Sequence, residues 1–322
     1  MSGSLVISLD LELMWGVRDH RTVENYGDAV LGGREAIANI LPRFQEAGIK
    51  ATWATVGLLF AKNRREMLEF APDHKPNYEN ENLSPYADIE NSLIGDNEST
   101  DPFHFGGSLI DKIANTLGQE VATHTYSHYY CMEPGATIET FEADLASAQA
   151  IAANSGHKLQ SIIFPRNQTT NEFIQRSADL NVNVYRGEAN GRLYRPRSGQ
   201  ETTKLFRAAR FLDGAFPVGG SQVVRPGRNL SAWNVPASRF LRPWSKKMPF
   251  YNKLHIRRIE AEMESAARSG GCYHLWWHPH NFGRHLSENL YQLDRLIACF
   301  KRCRDQLGME SKNMRDFAGK SL

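Results

Sequence analysis

The chain alternates short apolar runs with longer segments in which apolar residues recur every three or four positions. The first pattern is typical of buried strands and the second of helices that pack on one face. Strands are predicted at residues 5–9, 50–56, 120–123, 161–164, 182–185 and 272–277. Helices are predicted at residues 34–47, 58–70, 138–155, 172–180, 204–212, 254–268 and 288–307. Repeated strand-then-helix units without internal sequence repeats predict an α/β fold, with a parallel sheet covered by helices.

Three stretches depart from this alternation. Residues 72–107 are polar and rich in turn formers, so we expect a long loop insertion over the mouth of a site at the strand ends. Residues 186–258 are rich in Pro, aromatic and basic residues, and their Pro-rich part is predicted to be irregular. Residues 311–322 are predicted to be a loose tail, which leaves residues 1–310 as one domain, a size that a chain of 322 residues allows.

Two histidines, His124 and His128, stand four positions apart directly after a predicted strand. If that strand ends in a helical turn, the spacing places both imidazoles on one side, where they can share a metal ion. A carboxylate is the natural third ligand, because it leaves positions open for water and substrate. The histidine spacing alone also occurs by coincidence on helix faces, so the prediction of a site depends on an acid nearby.

Two acids, Asp10 and Glu12, follow the first predicted strand with a spacing of two residues. Both are therefore expected to point to the same side of an extended strand end. One can bind a metal ion and the other can act as a base. An acid pair at a strand end is more often part of a solvated loop, but the acids and the histidines together predict a metal site.

The composition excludes several classes of protein. No apolar run approaches the roughly 20 residues that a membrane-spanning helix needs, and the first run is too short for a secretory signal. The four cysteines (Cys131, Cys272, Cys299 and Cys303) lack the spacing of a disulfide framework and are interpreted as buried free thiols. These features predict a cytoplasmic protein.

The net charge of +2 hides an uneven distribution. Residues 186–258 contain sixteen Lys and Arg against three acids, a balance of +13, so the remaining residues carry −11. Basic residues interleaved with aromatic ones suit a sugar diphosphate, a lipid phosphate or an anionic membrane surface. The alternative is a solvated basic face that balances the acidic remainder of the chain.

Four short motifs resemble those of the polysaccharide deacetylase family (NodB homology, carbohydrate esterase family 4). They lie in the family's order along the chain, and the histidine motif is identical to the family's second motif. The first motif resembles the family's Asp-x-Glu form, the third has a variant order, and the acid of the fourth is not recognisable. The matching stretches are Leu9-Asp10-Leu11-Glu12, His124-Thr-Tyr-Ser-His128, Phe164-Pro165-Arg166-Asn167-Gln168 and Leu275-Trp276-Trp277-His278-Pro279.

The resemblance implies a distorted (β/α)7 barrel, with residues 1–310 as the catalytic domain. It implies that Glu12, His124 and His128 bind the metal, although Asp10 could exchange roles with Glu12. The metal would be Zn²⁺ or another divalent transition metal such as Co²⁺, Ni²⁺ or Mn²⁺.

The resemblance also implies catalytic roles. Asp10 would act as the general base, Arg166 would keep it ionised, and His278 would protonate the leaving amine. The neighbouring His280 is a weaker match to that acid. Substrate contacts are expected at Trp15, Asn167 and Trp277. The backbone N–H of Asn167 is a candidate donor to the oxyanion, whereas the tryptophans are explained equally well by packing in the core.

These residues together imply metal-dependent hydrolysis of an N-acetyl or N-formyl group on an amino sugar. The basic segment favours a substrate linked to a nucleotide or a lipid phosphate during surface polysaccharide or lipopolysaccharide synthesis, with peripheral contact at the inner face of the membrane. No nucleic acid partner is expected. Two alternatives stay open: a hydrolase of small cyclic amides or ureides on the same fold, and a non-catalytic carbohydrate-binding or membrane-binding relic.

Overall fold

The computed structural model describes residues 2–189, 191–194 and 204–318. The strands are β1 (Ser4–Leu11), β2 (Ala51–Thr55), β3 (Gln119–Thr123), β4 (Ser161–Ile162), β5 (Val184–Tyr185), β6 (Gly227–Asn229), β7 (Ala232–Asn234), β8 (Arg239–Phe240), β9 (Cys272–Trp277) and β10 (Glu310–Lys312). The α-helices are α1 (Val23–Ala47), α2 (Arg64–Glu69), α3 (Tyr86–Glu90), α4 (Gly107–Ala114), α5 (Ile138–Asn154), α6 (Asn171–Asp179), α7 (Lys204–Asp213), α8 (Pro249–Ser269) and α9 (Leu286–Leu307).

One sheet contains all of these strands, in the order β6-β7-β5-β4-β3-β2-β1-β9-β8, with β10 added beside β1. Every pairing is parallel except that of β6 with β7. The central strand β1 is buried along its whole length, as expected for a parallel sheet that is covered on both faces. The predicted parallel α/β arrangement is confirmed.

The sheet curls because residues 232–241 bond to both of its edges. Val235 N donates to Tyr185 O (2.9 Å) at β5, and Ser238 N donates to His274 O (2.8 Å) on β9. β7 and β8 are therefore two halves of one interrupted strand. Together with β9 and the first five strands, this strand makes a barrel of seven, so the predicted distorted (β/α)7 barrel is confirmed.

Helix α1 begins eleven residues before its predicted start at residue 34. Thr22 and Asn25 form a capping box at its N-terminus, a start signal that lies outside the apolar periodicity. The helix continues through Pro42, and Gly48 ends it in the left-handed conformation (φ 68°), as predicted.

The insertion at residues 72–107 packs beside the loop that follows β1. Met14 N donates to Phe103 O (3.1 Å), and Arg18 pairs with Asp88. None of the described residues that line the cavity around Asp10, His124 and His278 belongs to this insertion. The expectation that it covers the mouth of the site is therefore wrong, and the insertion instead contacts the loop after β1.

The C-terminal residues 311–318 are not a loose tail. Met314 and Phe317 are buried against β1 and its neighbours, and Met314 N donates to Thr52 Oγ1 (2.8 Å). Arg315 N donates to the buried carboxylate of Glu120 (3.1 Å). The last four residues of the predicted tail lie outside the described residues.

The Pro-rich part of the basic segment is not irregular throughout, because it contributes β6, β7 and β8 to the sheet. These strands have only two or three residues each, too few to produce a strand pattern in the sequence. No helix in the described part of the chain is both long and apolar enough to cross a membrane.

Candidate active site

The predicted acids and histidines come together at the carboxyl ends of the parallel strands, where ligands bind in barrels of this kind. Asp10 is the penultimate residue of β1, Glu12 follows that strand, and His124 follows β3. His128 lies four residues further on, and His278 directly follows β9. Distant parts of the chain therefore supply one cluster of side chains.

Glu12, His124 and His128 present ligand atoms that all lie within 4.8 Å of one another, and all three residues are buried. His128 Nε2 lies 3.2 Å from Glu12 Oε2. His124 Nδ1 donates to Ile163 O (2.7 Å), which leaves its Nε2 as the ligand nitrogen. Burial lowers the pKa of His124 to about 4, so the ring is neutral near pH 7. Two imidazoles and one carboxylate are a donor set that fits Zn²⁺ or a similar divalent metal.

Glu12 is held as a carboxylate between two imidazoles. Burial raises its pKa, but His278 and His128 lower it more strongly, so the net pKa is well below its usual range. Gly16 makes room for the carboxylate, because a Cβ at that position would lie 1.2 Å from Glu12 Oε2. This position therefore requires glycine in order to leave Glu12 beside the histidines.

The histidine motif reaches this geometry without the predicted helical turn. The chain bends instead, and Thr125 (φ 65°) and His128 (φ 61°) adopt left-handed backbone conformations. The buried carboxylate of Asp144 on α5 accepts hydrogen bonds from Tyr126 N (2.7 Å) and Ser127 N (3.1 Å) and so stabilises the bend. The prediction that the imidazoles share one side is confirmed, but the predicted reason is wrong.

His278 lies between the two acids. Its Nε2 is 2.8 Å from Glu12 Oε1 and 3.7 Å from Asp10 Oδ2. Its Nδ1 contacts Asn281 Oδ1 (3.2 Å), so the partner of this nitrogen is an amide and not an acid. Burial lowers the pKa of His278, but Glu12 and Asp10 raise it by more. The ring of His280 stacks on that of His278 at 5.1 Å, outside the residues that line the cavity.

Asp10 is paired with Arg186 and not with Arg166, so the predicted pairing is wrong. Arg186 Nη1 and Nη2 donate to the two carboxylate oxygens of Asp10 at 2.7 and 2.8 Å. Burial raises the pKa of Asp10, but Arg186 and the neighbouring histidines lower it by more. Asp10 is thus a buried, ionised and oriented carboxylate.

Arg166 points elsewhere because it follows Pro165 in a tight turn with φ 55°. Its guanidinium lies 4.3 Å from the Tyr130 ring and pairs with Asp19 and, at 3.6 Å, with Glu133. It lines the cavity without reaching Asp10. The missed residue, Arg186, directly follows a predicted strand, the same sequence signal that identified the acids after β1.

Arg186 is itself held by a buried hydrogen-bond network. Asn167 Oδ1 accepts from its Nη2 (2.8 Å), and Ser8 Oγ accepts from its Nη1 (3.0 Å). Ser8 also contacts His274 Nε2 (2.9 Å), and the ring of Trp276 lies 4.2 Å from the guanidinium. The orientation of Asp10 is therefore determined by several side chains at once.

The three residues predicted to contact substrate have different locations. Asn167 lines the cavity, but its backbone N–H donates to Phe164 O (2.9 Å) and is not available to an oxyanion. Trp15 and Trp277 are fully buried in the core, and neither lines the cavity. Trp276, the neighbour of Trp277, lines it instead, because successive residues of a strand face opposite sides.

The cavity that contains this cluster has a volume of about 420 Å³. Asp10, Glu12, His124, His128 and His278 line one part of it. Residues of the basic segment line much of the remainder. This volume lies within the range of about 300 to 1,000 Å³ that is typical of pockets for small organic ligands.

The sequence profile of the family described as Polysaccharide deacetylase matches residues 25–185, which is 161 of the 322 residues. The chain belongs to the polysaccharide deacetylase family. Membership implies a hydrolase and supports deacetylation of a polysaccharide as the reaction. The matched part of the chain contains both histidines, whereas Asp10, Glu12, Arg186 and His278 lie outside it.

The fold of this family member is shared with solved structures of low sequence identity. One is a Mycobacterium smegmatis protein described as a polysaccharide deacetylase (TM-score 0.58, 12% identity, 99% of this chain and 90% of that chain). Another is a GH57 branching enzyme from Thermococcus kodakaraensis (TM-score 0.58, 14% identity, 100% of this chain and 72% of that chain). A third is a GH57-type branching enzyme from Pyrococcus horikoshii (TM-score 0.56, 14% identity, 100% and 71%). No curated protein matches the chain.

Proposed function

We propose that this chain is a metal-dependent hydrolase that removes an acetyl or formyl group from the nitrogen of an amino sugar. The observation that carries the proposal is the convergence of Glu12, His124 and His128 in a cavity that also contains Asp10 and His278. A metal-ligand set, a candidate base and a candidate acid are the groups that amide hydrolysis needs.

Glu12, His124 and His128 would hold the metal, with Zn²⁺ as the first candidate. When bound, such a cation polarises an acyl oxygen and lowers the pKa of water. Asp10 would accept the proton of the attacking water. Arg186 supports that role, since its bidentate pairing keeps Asp10 ionised and holds the carboxylate in one orientation.

His278 would donate a proton to the departing amine nitrogen. It is about a quarter exposed, whereas Asp10 and Glu12 are almost fully buried, so it is the group of the three most accessible to a leaving group in the cavity. Asn281 Oδ1 accepts from Nδ1–H, which fixes the ring orientation and leaves Nε2 directed at the acids. The same ring can therefore deliver a proton without reorienting.

The proposed substrate is an amino sugar linked to a nucleotide or a lipid phosphate in the synthesis of a surface polysaccharide or lipopolysaccharide. The balance of +13 in residues 186–258 supports an anionic substrate, and Arg210 and Arg242 of that segment line the cavity. We further propose a cytoplasmic location with peripheral contact at the membrane, supported by the exposed Phe250 and Met248 next to Lys246 and Lys247.

The test combines metal content with amide hydrolysis. Elemental analysis of the purified protein should find about one divalent metal ion per chain, and the protein should release acetate or formate from N-acylated amino sugars. His124→Ala should lose both the metal and the activity, while His74→Ala, at an exposed position of the insertion, should keep both. Hydrolysis that persists after complete chelation would overturn the proposal.

A further inference from the structure

The basic segment lines the part of the cavity away from the histidine motif. Its lining residues include Tyr194, Arg210, Arg239, Phe240 and Arg242, together with one acid, Glu188. Arg239 and Arg242 differ in how their charges are compensated, and this difference indicates what that part of the cavity can bind.

Arg239 is neutralised by the protein itself. Its Nε and Nη2 each donate to the Glu262 carboxylate at 2.9 Å, and its Nη1 donates to Asp213 Oδ2 (3.2 Å). The side chain is almost fully buried. It is part of the structure that supports the cavity wall, and its charge is already balanced by two carboxylates.

Arg242 is half-buried and has no carboxylate within 4.0 Å among the residues that the structure describes. Its guanidinium lies 5.1 Å from the Phe211 ring and 6.0 Å from the Phe240 ring. Its Nη2 donates to Arg210 O (3.3 Å), and its backbone N–H donates to His255 Nε2 (3.1 Å). The side chain is thus held in place by aromatic rings and a carbonyl, with its charge directed along the cavity wall.

Arg210 lines the same cavity, and its backbone carbonyl is the group that accepts from Arg242 Nη2. Its Nε donates to Leu193 O (2.9 Å), and its guanidinium is 5.7 Å from the Tyr194 ring. Guanidinium groups that line one cavity suit a phosphate, which carries up to two negative charges and three acceptor oxygens. Since ordering a flexible side chain opposes binding, an arginine that is already held by its neighbours binds an anion more tightly.

We propose that Arg242, assisted by Arg210, forms a phosphate subsite in the same cavity as the candidate metal site. This inference rests on the proposed function, because it assigns the anionic part of the amino-sugar substrate to a specific position. The ligand class is a sugar phosphate, whether the phosphate is free, part of a nucleotide or part of a lipid head group.

The first experiment measures binding of inorganic phosphate to the metal-loaded protein by calorimetry, without any hydrolysis. Phosphate should bind the wild-type protein and His124→Ala, and Arg242→Gln should weaken binding about tenfold or more. Arg242→Lys should recover part of the affinity, because lysine retains the charge but not the planar pair of donors. Arg207→Gln is the matched control, since it removes the same charge from the exposed face of α7 outside the cavity lining.

Three results would overturn the subsite. The first is that the wild-type protein does not bind phosphate. The second is that His124→Ala loses phosphate binding while Arg242→Gln keeps it. The third is that Arg242→Gln and Arg207→Gln lose equal amounts of phosphate affinity. The second result would place the phosphate on the metal, and the third would show a general effect of charge. Glucuronate binding as tight as phosphate binding would overturn the assignment to phosphate.

The second experiment compares acetate release from N-acetylglucosamine and from its 1-phosphate. Arg242→Gln should raise KM for the phosphate about tenfold, with kcat and the KM for the neutral sugar unchanged. A UDP-linked sugar and a lipid-phosphate-linked sugar in detergent identify the source of the phosphate. If no sugar is hydrolysed but phosphate binding still depends on Arg242, the proposed function fails and the subsite stands. If both sugars are hydrolysed with unchanged KM values in the variant, the subsite fails and the function stands.

Discussion

The cavity has two parts that differ in how their charges are compensated. The metal part, formed by the candidate ligands Glu12, His124 and His128 with Asp10 and His278, lies at the ends of β1, β3 and β9. Each of its ionised groups has a nearby partner of opposite charge or a hydrogen bond. The basic part stands on loops, the short strand β8 and the helix α7, and Arg242 there has no carboxylate partner among the described residues. The charges of the metal part are balanced without an anionic ligand, whereas the Arg242 charge in the basic part can bind one.

This difference separates two tasks. Groups that carry out chemistry must be held within a fraction of an ångström, which rigid strand ends and buried hydrogen-bond networks achieve. Groups that recognise a substrate can tolerate a less rigid support, because their contribution is charge and shape. We therefore expect substitutions in the metal part to change kcat and those in the basic part to change KM.

The largest effect in this comparison is expected from the candidate acid. His278→Ala should lower kcat about 10²- to 10⁴-fold, because it removes the proton donor for the amine. His280→Gln, which alters the ring stacked on His278 but outside the cavity lining, should change kcat less than tenfold. Steady-state kinetics on one N-acylated sugar decides the matter, and a larger loss in the His280 variant would reassign the acid.

The next effect comes from the two arginines that could have supported Asp10. Arg186→Gln breaks a buried pair, so it should lower kcat about 10- to 100-fold and the stability by about 3–5 kcal/mol. Arg166→Gln breaks pairs of a guanidinium that is about a third exposed, and water can replace these pairs, so its cost should stay near 1 kcal/mol. Urea unfolding and kcat of the two variants test this. Equal losses, or a greater loss in Arg166→Gln, would restore the pairing that the sequence predicted.

These two arginines also show how far sequence reasoning could go. Acids and histidines after apolar runs were identifiable, because strand ends meet at one edge of a parallel sheet. Arg186 meets the same criterion, but the resemblance of the third motif predicts Arg166 as the partner of Asp10. What decides between them is the backbone at Arg166, with φ 55° after Pro165, and no residue pattern encodes that conformation.

Other features were hidden because they depend on distant contacts. The bend of the histidine motif relies on Asp144, which belongs to α5 and lies sixteen residues after His128. The strands β7 and β8 are too short for a pattern and exist because both edges of the sheet offer partners. Met314 and Phe317 lack periodicity, yet they complete the core beside β1.

A smaller effect concerns pH, through one buried histidine behind each part of the cavity. His274 contacts Ser8 behind the metal part, and His255 accepts from Arg242 N behind the basic part. Burial lowers the pKa of each to about 3. Folding therefore favours the neutral rings, so their stabilisation is complete above the unfolded pKa of about 6.5 and is lost as the pH falls towards 3.

Lowering the pH from 7.5 to 5 should cost about 2 kcal/mol of unfolding free energy for each of these two histidines. His255→Gln should remove one of these contributions and flatten the dependence accordingly, and His74→Gln should not. Urea unfolding in the metal-free His124→Ala background excludes the pH dependence of metal binding. An unchanged pH dependence in His255→Gln would show that this ring becomes charged without unfolding the protein.

The smallest effect distinguishes adjacent tryptophans on β9, where one faces the cavity and the other the core. Trp276 lies against Arg186 and Phe240, so Trp276→Phe should raise KM about two- to fivefold with little change in stability. Trp277 stacks on Phe282 inside the core, so Trp277→Phe should lower the stability by about 1–2 kcal/mol and leave KM unchanged. Because the two substitutions are chemically identical and one residue apart, only the direction of each side chain separates them. If KM instead responded to the Trp277 variant, β9 would present its other face to the substrate, and the assignment of cavity and core on that strand would be reversed.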